Sequence, residues 1–407
     1  MTKNMVRLGD ICTVVSGSTP KTNISEYWDG DIKWITPAEL NEDSFYLHDS
    51  VRHITDLGKE KTGLTYMPSG TVILSSRAPI GKTAIAACEM CCNQGFKNLI
   101  CSDKIFNEYL YFFLSAKTEF LNSLGRGATF KEISKAIVEN IMIPLPGIED
   151  QKQIAARFVQ IEDLIRLRKE QLQQLDQLVK SRFIELFGDP VENPKHLPVK
   201  ALKQLSVLIT NGNTPKGGSE NYVPKGILFI RSQNVWRNRI ELDDVAFIDE
   251  KTHHSLRKSS LKHKDILITK TGRINTENSS LGRAALYLGE DGSANINGHV
   301  YLVRLDGSVV PEYVITILTS EAYRKYIRKV CVGGIDKRQI NLDQVEEFPI
   351  ILPPVKDQTE FATFVEHTDK LKFAVQNAVD LQITLILNLV NHPWEHWASV
   401  SNKGVKL

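Results

Sequence analysis

No apolar run in this chain reaches the ~18 residues that a bilayer span needs, and the opening M-T-K-N-M-V-R lacks the apolar stretch of a secretory leader. A cytoplasmic protein with no membrane role is therefore expected. Strong charge of one sign is also missing. Fifty Lys and Arg against 48 Asp and Glu leave a net +2, so a nucleic-acid partner has to be argued from local clusters. Cysteine is sparse: of six, four crowd into 88–101, and Cys88-x-x-Cys91 has metal-like spacing. No second spaced pair and no His pair completes a zinc set. Reduced, partly buried thiols and no metal are expected.

Catalytic signatures are equally scarce. Gly81-Lys82-Thr83 resembles the end of a phosphate loop, but Ser76 stands where that loop needs its first glycine. There is no G-x-S-x-G, H-E-x-x-H or G-x-G-x-x-G. Asn193-Pro194-Lys195-His196 is not the Asn-Pro-Pro-aromatic loop of an amino methyltransferase and reads as a linker. His253-His254 sits in a basic stretch, where solvated imidazoles are the plain expectation. Nothing assembles a nucleophile, a base and an orienting group, so a binding protein is inferred.

Gly and Pro are absent from Asp150 to Phe187, and that stretch is the most regular in the chain. Ile154, Phe158, Ile161, Ile165, Leu172, Leu175, Val179 and Leu186 form a heptad-like stripe. A helix there would be roughly 55 Å long, stopped by Gly188-Asp189-Pro190. Arg168 and Arg182 fall on the stripe and make its seam imperfect. A second stripe follows Gln358, with Phe361, Phe364, Leu371, Val375, Ala378, Leu385 and Leu389. Asp150 and Asp357 stand where N-cap acceptors are expected.

What precedes each helix is duplicated. Ser18-Thr19-Pro20-Lys21 returns as Asn213-Thr214-Pro215-Lys216, and Ile32 to Thr36 returns as Ile227 to Arg231. Gly70 to Arg77 matches Lys264 to Thr271, and Ile80-Gly81-Lys82 matches Leu281-Gly282-Arg283. Gly127, Lys131, Ile133, Pro146, Asp150 and Gln151 each have a partner 207 positions on, namely Gly334, Arg338, Ile340, Pro353, Asp357 and Gln358. A repeat this long is a duplicated domain plus helix, not a solenoid. Two equal units tend to pack about a pseudo-two-fold axis, which would lay the helices antiparallel.

The expected fold is therefore α+β. Two similar α/β domains are separated by two long antiparallel helices that form a coiled-coil-like spacer. The expected limits are 1–147 for the first domain, 148–188 for the central helix, 189–354 for the second domain, 355–392 for the C-terminal helix and 393–407 for an irregular tail. Spacer packing is assigned to Ile154, Phe158, Ile161, Ile165, Leu172, Leu175, Val179, Phe361, Phe364, Leu371, Val375 and Leu385.

Each domain carries cationic, amide and hydroxyl side chains in loops and at strand ends. In the first these are Lys21, Thr36, Ser75, Ser76, Arg77, Lys82, Gln94, Lys97, Arg126 and Lys131. In the second they are Lys216, Arg231, Gln233, Asn234, Arg237, Lys270, Arg273, Arg283, Asn297, His299, Lys337 and Arg338. Arg suits guanine edges, Asn and Gln suit adenine, and Lys, Ser and Thr suit phosphates. Any one of them taken alone is more simply a solvated side chain. The weight lies in equivalent pairs such as Lys21/Lys216, Lys82/Arg283, Gln94/Asn297 and Lys131/Arg338. Lys251 to Lys264 adds a basic run. Trp34 and Phe229, on matching strands, are core aromatics or, less simply, base-stacking platforms.

Taken together, S-G-S-T-P-K and N-G-N-T-P-K, S-S-R-A-P-I-G-K and T-K-T-G…L-G-R, and the helix starts P-L-P…D-Q-K-Q-I-A and L-P-P…D-Q-T-E-F-A resemble the specificity subunits of type I restriction–modification enzymes. The helix exit K-S-R-F-I-E-L-F-G-D-P adds to the likeness, which covers nearly the whole chain. The resemblance implies two target recognition domains, each reading half of a split, asymmetric DNA site. It implies helices that set the gap and dock two modification subunits, which methylate adenine with S-adenosylmethionine. Restriction subunits would bring ATP, Mg and cleavage. The chain itself would bind no cofactor and catalyse nothing. Two readers on a stalk of roughly 55 Å suit groove faces about one turn of DNA apart. One departure is the end of the second helix, where Asn391-His392-Pro393-Trp394 replaces K-S-R-F, and Pro393 should break the helix. The rival reading is a protein–protein adaptor with two duplicated domains and no DNA role.

Overall fold

The structure is a computed structural model. It describes residues 5–41, 44–77, 79–127, 131–215, 217–274, 276, 278–334 and 337–391, with side chains of the last helix followed to Ile386. The chain divides into two compact units. Unit 1 takes residues up to Lys169 and those from Gln376 onward, and unit 2 takes Glu170–Val375. Each unit thus includes a segment of both long helices, whereas the limits expected from sequence set the helices apart. The tail expected at 393–407 lies outside the described residues.

In unit 1 the main sheet runs Cys12–Ser16, Lys97–Cys101, Val72–Leu74, Thr83–Ala86, Tyr46–Leu47. All neighbours are antiparallel except the last pair. Unit 2 repeats this order as Ser206–Asn211, Val300–Leu305, Ile266–Thr269, Ala284–Leu286. The central strands are β-branched and aliphatic, and Val72, Ile73, Leu74, Ile266 and Leu267 are fully buried. A smaller sheet accompanies each: Arg52–Ile54, Trp28–Ile35, Cys91–Cys92 in unit 1, and Ala246–Ile248, Ile227–Ile230, Ala294–Ile296 in unit 2. A ribbon closes each unit before its helix, Met5–Arg7 with Met142–Pro144 and Val199–Ala201 with Pro349–Ile351. The repeat read from sequence is therefore a repeat of topology. The copies differ at one edge. Where unit 1 adds Tyr46–Leu47, the described residues of unit 2 place no strand beside Ala284–Leu286, which lies next to a cleft of ≈ 1180 Å3 lined by Leu228, Leu286 and Phe373.

The long helices span Ile148–Phe187 and Val355–Asn391. Asp150 and Asp357 lie inside the first turns rather than capping them, because the helices begin at Ile148 and Val355, just past the Pro-containing turns. There a carboxylate still favours the positive end of the helix dipole. The residue that anchors each helix is the next one along. Gln151 is fully buried; its Oε1 accepts from Phe106 N (2.8 Å), and its Nε2 donates to Lys104 O (3.0 Å) and Pro146 O (2.9 Å). In unit 2, Gln358 Oε1 accepts from Val310 N (3.0 Å) and its Nε2 donates to Pro353 O (2.9 Å). A tyrosine ties the same junction from the other side: Tyr109 donates to Pro144 O (2.8 Å) and Tyr313 to Ile351 O (3.0 Å).

Within each unit the two helix segments run antiparallel. In unit 2, Phe183 and Phe187 pack edge-on against Phe361, with ring centroids 5.5 and 5.6 Å away, and Asp176 pairs with Lys372. In unit 1, Ile386 joins the core that holds Ile154 and Phe158, while Arg168 donates to Ala378 O (3.2 Å). Ile161, Ile165, Leu172, Leu175, Val179, Phe364 and Val375 are half-buried. Leu371 and Leu385 are not packing residues, being 58% and 44% exposed. The shielded face of the second helix follows Phe361, Val365, Thr368, Lys372, Val375, Val379, Gln382 and Ile386. That is an unbroken alternation of three- and four-residue steps. Phe364, Leu371, Ala378 and Leu385 lie on the neighbouring stripe, seven residues apart. Choosing apolar letters found Phe361 and Val375 on the seam but took Phe364, Leu371 and Leu385 from the flank, because Thr368, Lys372 and Gln382 hold places on the true seam.

Replacing Gln151 with Leu strands the Phe106 N–H and two carbonyls in a dry junction. An orphaned buried polar group costs ~1–3 kcal/mol, so a thermal melt of the full chain should fall by several degrees. Burial, aided by Asp163, pushes the Glu162 carboxyl from 4.5 up to about 7. The folded chain then holds a proton that the unfolded chain has lost, so stability falls as pH rises from about 4.5 through about 7. Glu162→Gln should be more stable than the parent at pH 8 and gain little at pH 4.5, read by denaturant midpoints at both pH values.

Candidate nucleic-acid interface

Backbone bonds gather the loops of unit 1 into one rim at an end of the main sheet. Ser18 N donates to Cys92 O (3.0 Å), Ser76 N to Gly95 O (2.7 Å) and Ile133 N to Ser76 O (3.0 Å). Arg126 and Glu132 exchange both backbone bonds at 3.0 Å. Gly17 is required by closeness, since a Cβ there would stand 2.2 Å from the Asn93 carbonyl oxygen. Thr19 donates to Gln94 Oε1 and joins the first two loops. Lys21, Gln94, Arg126 and Lys131 are exposed on this rim, and Arg77 is half-buried beside them.

Unit 2 builds the same rim. Lys270 N donates to His299 O (2.9 Å), Ile340 N to Lys270 O (2.9 Å) and Gly212 N to Val300 O (3.1 Å). A Cβ at Gly212 would stand 2.1 Å from the Ile296 carbonyl oxygen, so both copies keep glycine at this crossing. Arg273, His299 and Lys337 are exposed, with Lys270 and Arg338 half-buried. Arg338 turns back on its own hairpin, donating to Gly334 O (3.2 Å) and Cys331 O (3.5 Å). Lys216 lies outside the described residues.

Other side chains expected to face DNA are used inside the fold. Ser75 and Ser76 are fully buried; Ser75 Oγ donates to Pro79 O (2.7 Å) and accepts from Lys82 N (2.8 Å). Lys97 is 7% exposed, pairs with Glu132 (3.0 Å) and reaches the Ser76 hydroxyl (3.4 Å). Thr36 is held by Glu39 (2.9 Å), and Lys82 Nζ donates to Leu40 O. In unit 2, Arg231, Gln233 and Asn234 knot around Asp244. Arg231 donates to its carboxylate (3.0 Å), Gln233 to the other oxygen (2.7 Å) and Asn234 to its carbonyl (2.7 Å). The bond from Gln233, then that from Arg231, holds the Asp244 carboxyl below the usual carboxylate range. Asn297 is buried and accepts from His299 N (3.1 Å). Arg283 is also 7% exposed; its guanidinium lies 3.8 Å from the Trp236 ring centre and donates to Ser279 O (3.1 Å) and Asn278 O.

The strand aromatics are core. Trp34 is buried edge-on to Trp28, at 5.1 Å between centroids, with its N–H on Ser18 O (3.0 Å), and Phe229 is fully buried. In the basic run, Lys251, His254, Arg257, Lys258 and Lys262 are exposed, while His253 engages Asn295 and Lys264 pairs with Glu312 at 2.7 Å. The four crowded cysteines do not share one environment: Cys91 donates to Thr65 O (3.7 Å), and Cys92 accepts from Asn98 (2.9 Å). Arg239 stays exposed next to Arg237, and Arg324 and Arg328 are half-buried on the helix Glu321–Val330. These three escaped the sequence search because it weighted positions matched in both repeats. The corresponding helix of unit 1, Thr118–Leu124, has no basic residue. Four cations within six positions, Arg324, Lys325, Arg328 and Lys329, were the available signal.

Comparison with known proteins identifies the family. The model of the type I restriction modification DNA specificity domain matches residues 2–177. The chain is 30% identical to the type I restriction enzyme MjaIX specificity subunit of Methanocaldococcus jannaschii, over 88% of this chain and 85% of that one. It is 24% identical to the EcoKI specificity subunit of Escherichia coli K12, over 94% and 84%. Its fold is similar to the crystal structure of a type I restriction–modification S subunit from M. genitalium, with TM-score 0.53, 13% identity and coverage of 95% and 94%. A chain solved in a study of type I R-M complex assembly gives TM-score 0.60 at 17% identity, covering 95% and 96%. The protein belongs to the type I restriction enzyme specificity-subunit family, whose members are the non-catalytic subunits that carry DNA sequence specificity.

Arg283→Lys loses the flat stack on Trp236 and at least one carbonyl contact. It should lower the stability of the full chain by about 1–2 kcal/mol in a denaturant titration. It should leave the salt dependence of DNA binding unchanged, since this guanidinium faces inward.

Proposed function

We propose that this chain is the specificity subunit of a type I restriction–modification complex in the cytoplasm, and that each unit reads one half of a split, asymmetric DNA site. The carrying observation is the rim that both units build from the same loops at the same strand ends. Exposed side chains on it are cationic or hydrogen-bonding: Lys21, Gln94, Arg126 and Lys131 in one copy, Arg273, His299 and Lys337 in the other. Arg and Gln carry the donor patterns that discriminate base edges in the major groove, and Lys suits phosphates. An adaptor for proteins alone has no need of this chemistry at equivalent loops twice over.

The long helices set the unread gap and dock two modification subunits. Support comes from apolar side chains they leave in solvent, Leu164 and Leu167 on the first helix and Phe373, Leu381 and Ile383 on the second. Exposed apolar surface of this extent on a helix pair suits further helices. The chain holds no cofactor of its own. S-adenosylmethionine belongs to the modification subunits, and ATP and Mg to restriction subunits that join them.

A base-resolution map of adenine methylation, in cells carrying this chain and its modification subunit, tests the proposal. A split motif should appear only with the chain present, and exchanging residues 1–145 for those of a relative should change one half alone. No chain-dependent methylation with an active partner would sink the proposal.

A further inference from the structure

Unit 2 carries a cationic cluster around the strand end at Arg283. The turn Trp236 to Arg239 closes on itself, with Trp236 N donating to Arg239 O (2.9 Å). Its next residue back, Asn238, donates its N–H to Ala284 O (2.8 Å), which seats the turn beside Arg283. Arg283 lies 3.8 Å from the Trp236 ring centre and Arg239 lies 5.4 Å from it, so one indole carries two guanidiniums. Gly282 in turn abuts the helix Glu321–Val330, since a Cβ there would meet the Ile327 side chain at 2.9 Å. Arg324 and Arg328 flank Ile327 on that helix, three residues before it and one after. Turn, strand end and helix therefore bring five guanidiniums together.

The cluster is poorly neutralised by the protein. Arg239 pairs with Glu241 at 2.7 Å, and Arg237 has an interaction of its own. Arg324 and Arg328 have no carboxylate within ion-pair distance among the described residues, although both are half-buried. Arg324 feels this: burial first, then the charges of Arg237, Arg328 and Arg283, bring its guanidinium down to about 10, with only Glu321 opposing. Gathering like charges in a partly dry place destabilises a fold unless an anion settles among them. Bidentate donors on a fixed helix face suit a phosphodiester.

We propose that Arg324 and Arg328, with the Trp236–Arg239 turn beside them, form a phosphate clamp that grips the DNA backbone flanking the half-site read by unit 2. This rests on the DNA-reading role proposed above. The clamp adds affinity without reading bases, and it belongs to one half only, because the unit 1 helix Thr118–Leu124 has no Arg or Lys.

The test uses the full chain assembled with its modification subunits, comparing parent and R324Q/R328Q. Duplexes with the target, and with each half-site scrambled, are titrated between 50 and 200 mM salt. Each phosphate contact contributes about 0.9 to the slope of log K against log salt. The double variant should lose about 2 from that slope and bind every duplex more weakly by the same factor. The methylated motif should stay as it was, and the melting temperature should hold or rise as repulsion is relieved. An unchanged slope would overturn the clamp, as would weakening confined to the intact target, which would make the arginines base readers. Inorganic phosphate at constant ionic strength is the remaining arm. If sub-millimolar phosphate stabilises the parent but not the variant, and DNA affinity is equal in both, the cluster serves a small anion and the proposal fails. Failure of the DNA-reading role is distinguishable, because the parent complex would then prefer no split site at all.

Discussion

The side chain of Gln151 in unit 1, and of Gln358 in unit 2, joins segments that are far apart in sequence. Gln151 bonds Lys104 and Phe106, which follow the strand Lys97–Cys101, and Pro146, which follows the last strand before the helix. One amide thereby locks the exit of the sheet, the entry of the long helix and the turn between them. Its three bonds run through a site closed to water, where an unmade hydrogen bond is expensive and a made one is directional. Tyr109 and Tyr313 brace the same corner from the opposite direction. The helix can therefore only leave its unit along one line, and whatever the helix docks is aligned with the sheet whose strand ends carry the loops.

Those loops are held largely by backbone bonds, with buried or bridging side chains such as Ser75 and Lys97 adding to them. The bonds from Ser18, Ser76 and Ile133 in unit 1, and from Gly212, Lys270 and Ile340 in unit 2, are all N–H to carbonyl. The glycines at the crossing, Gly17 and Gly212, are demanded by sterics. A rim built this way keeps its shape when its exposed side chains are exchanged. Recognition can then change without refolding the scaffold, which is what separating positioning from reading requires.

Much of this was legible in the sequence. The duplication, the two helices and the stop at Gly188 follow from spacing, and they are present because periodicity and Gly/Pro punctuation act locally. The choice of side chains within the site was not legible. Ser75, Ser76, Lys97, Asn234 and Arg283 have the chemistry of DNA contacts, yet each satisfies a buried partner. A polar residue at a loop junction is needed by the fold as often as by a ligand, and only burial separates the two uses. The helix seam misled for a related reason. Its places are filled partly by Arg168 and Lys372, which bond across the pair, and by Thr368, whose hydroxyl bonds back to Phe364 O on its own helix, so hydrophobic letters alone drift onto the adjacent stripe.

The repeats have kept topology and diverged in charge. In unit 1 the buried cation Lys97 is neutralised by Glu132 from the neighbouring hairpin, and the loops sit on a paired sheet edge that ends in Tyr46–Leu47. In unit 2 Asp265 holds Arg304 at 2.6 Å inside the fold, Asp244 holds Arg231, and in the cluster Glu241 pairs with Arg239. The half-buried guanidiniums of Arg324 and Arg328 are left without a carboxylate partner among the described residues. A duplicated reader needs the same loop geometry twice, because each half-site is the same double helix. It does not need the same share of binding energy twice. Backbone affinity placed in one copy would hold the duplex while base contacts in both copies decided whether it stayed, so asymmetry of charge is compatible with symmetry of fold.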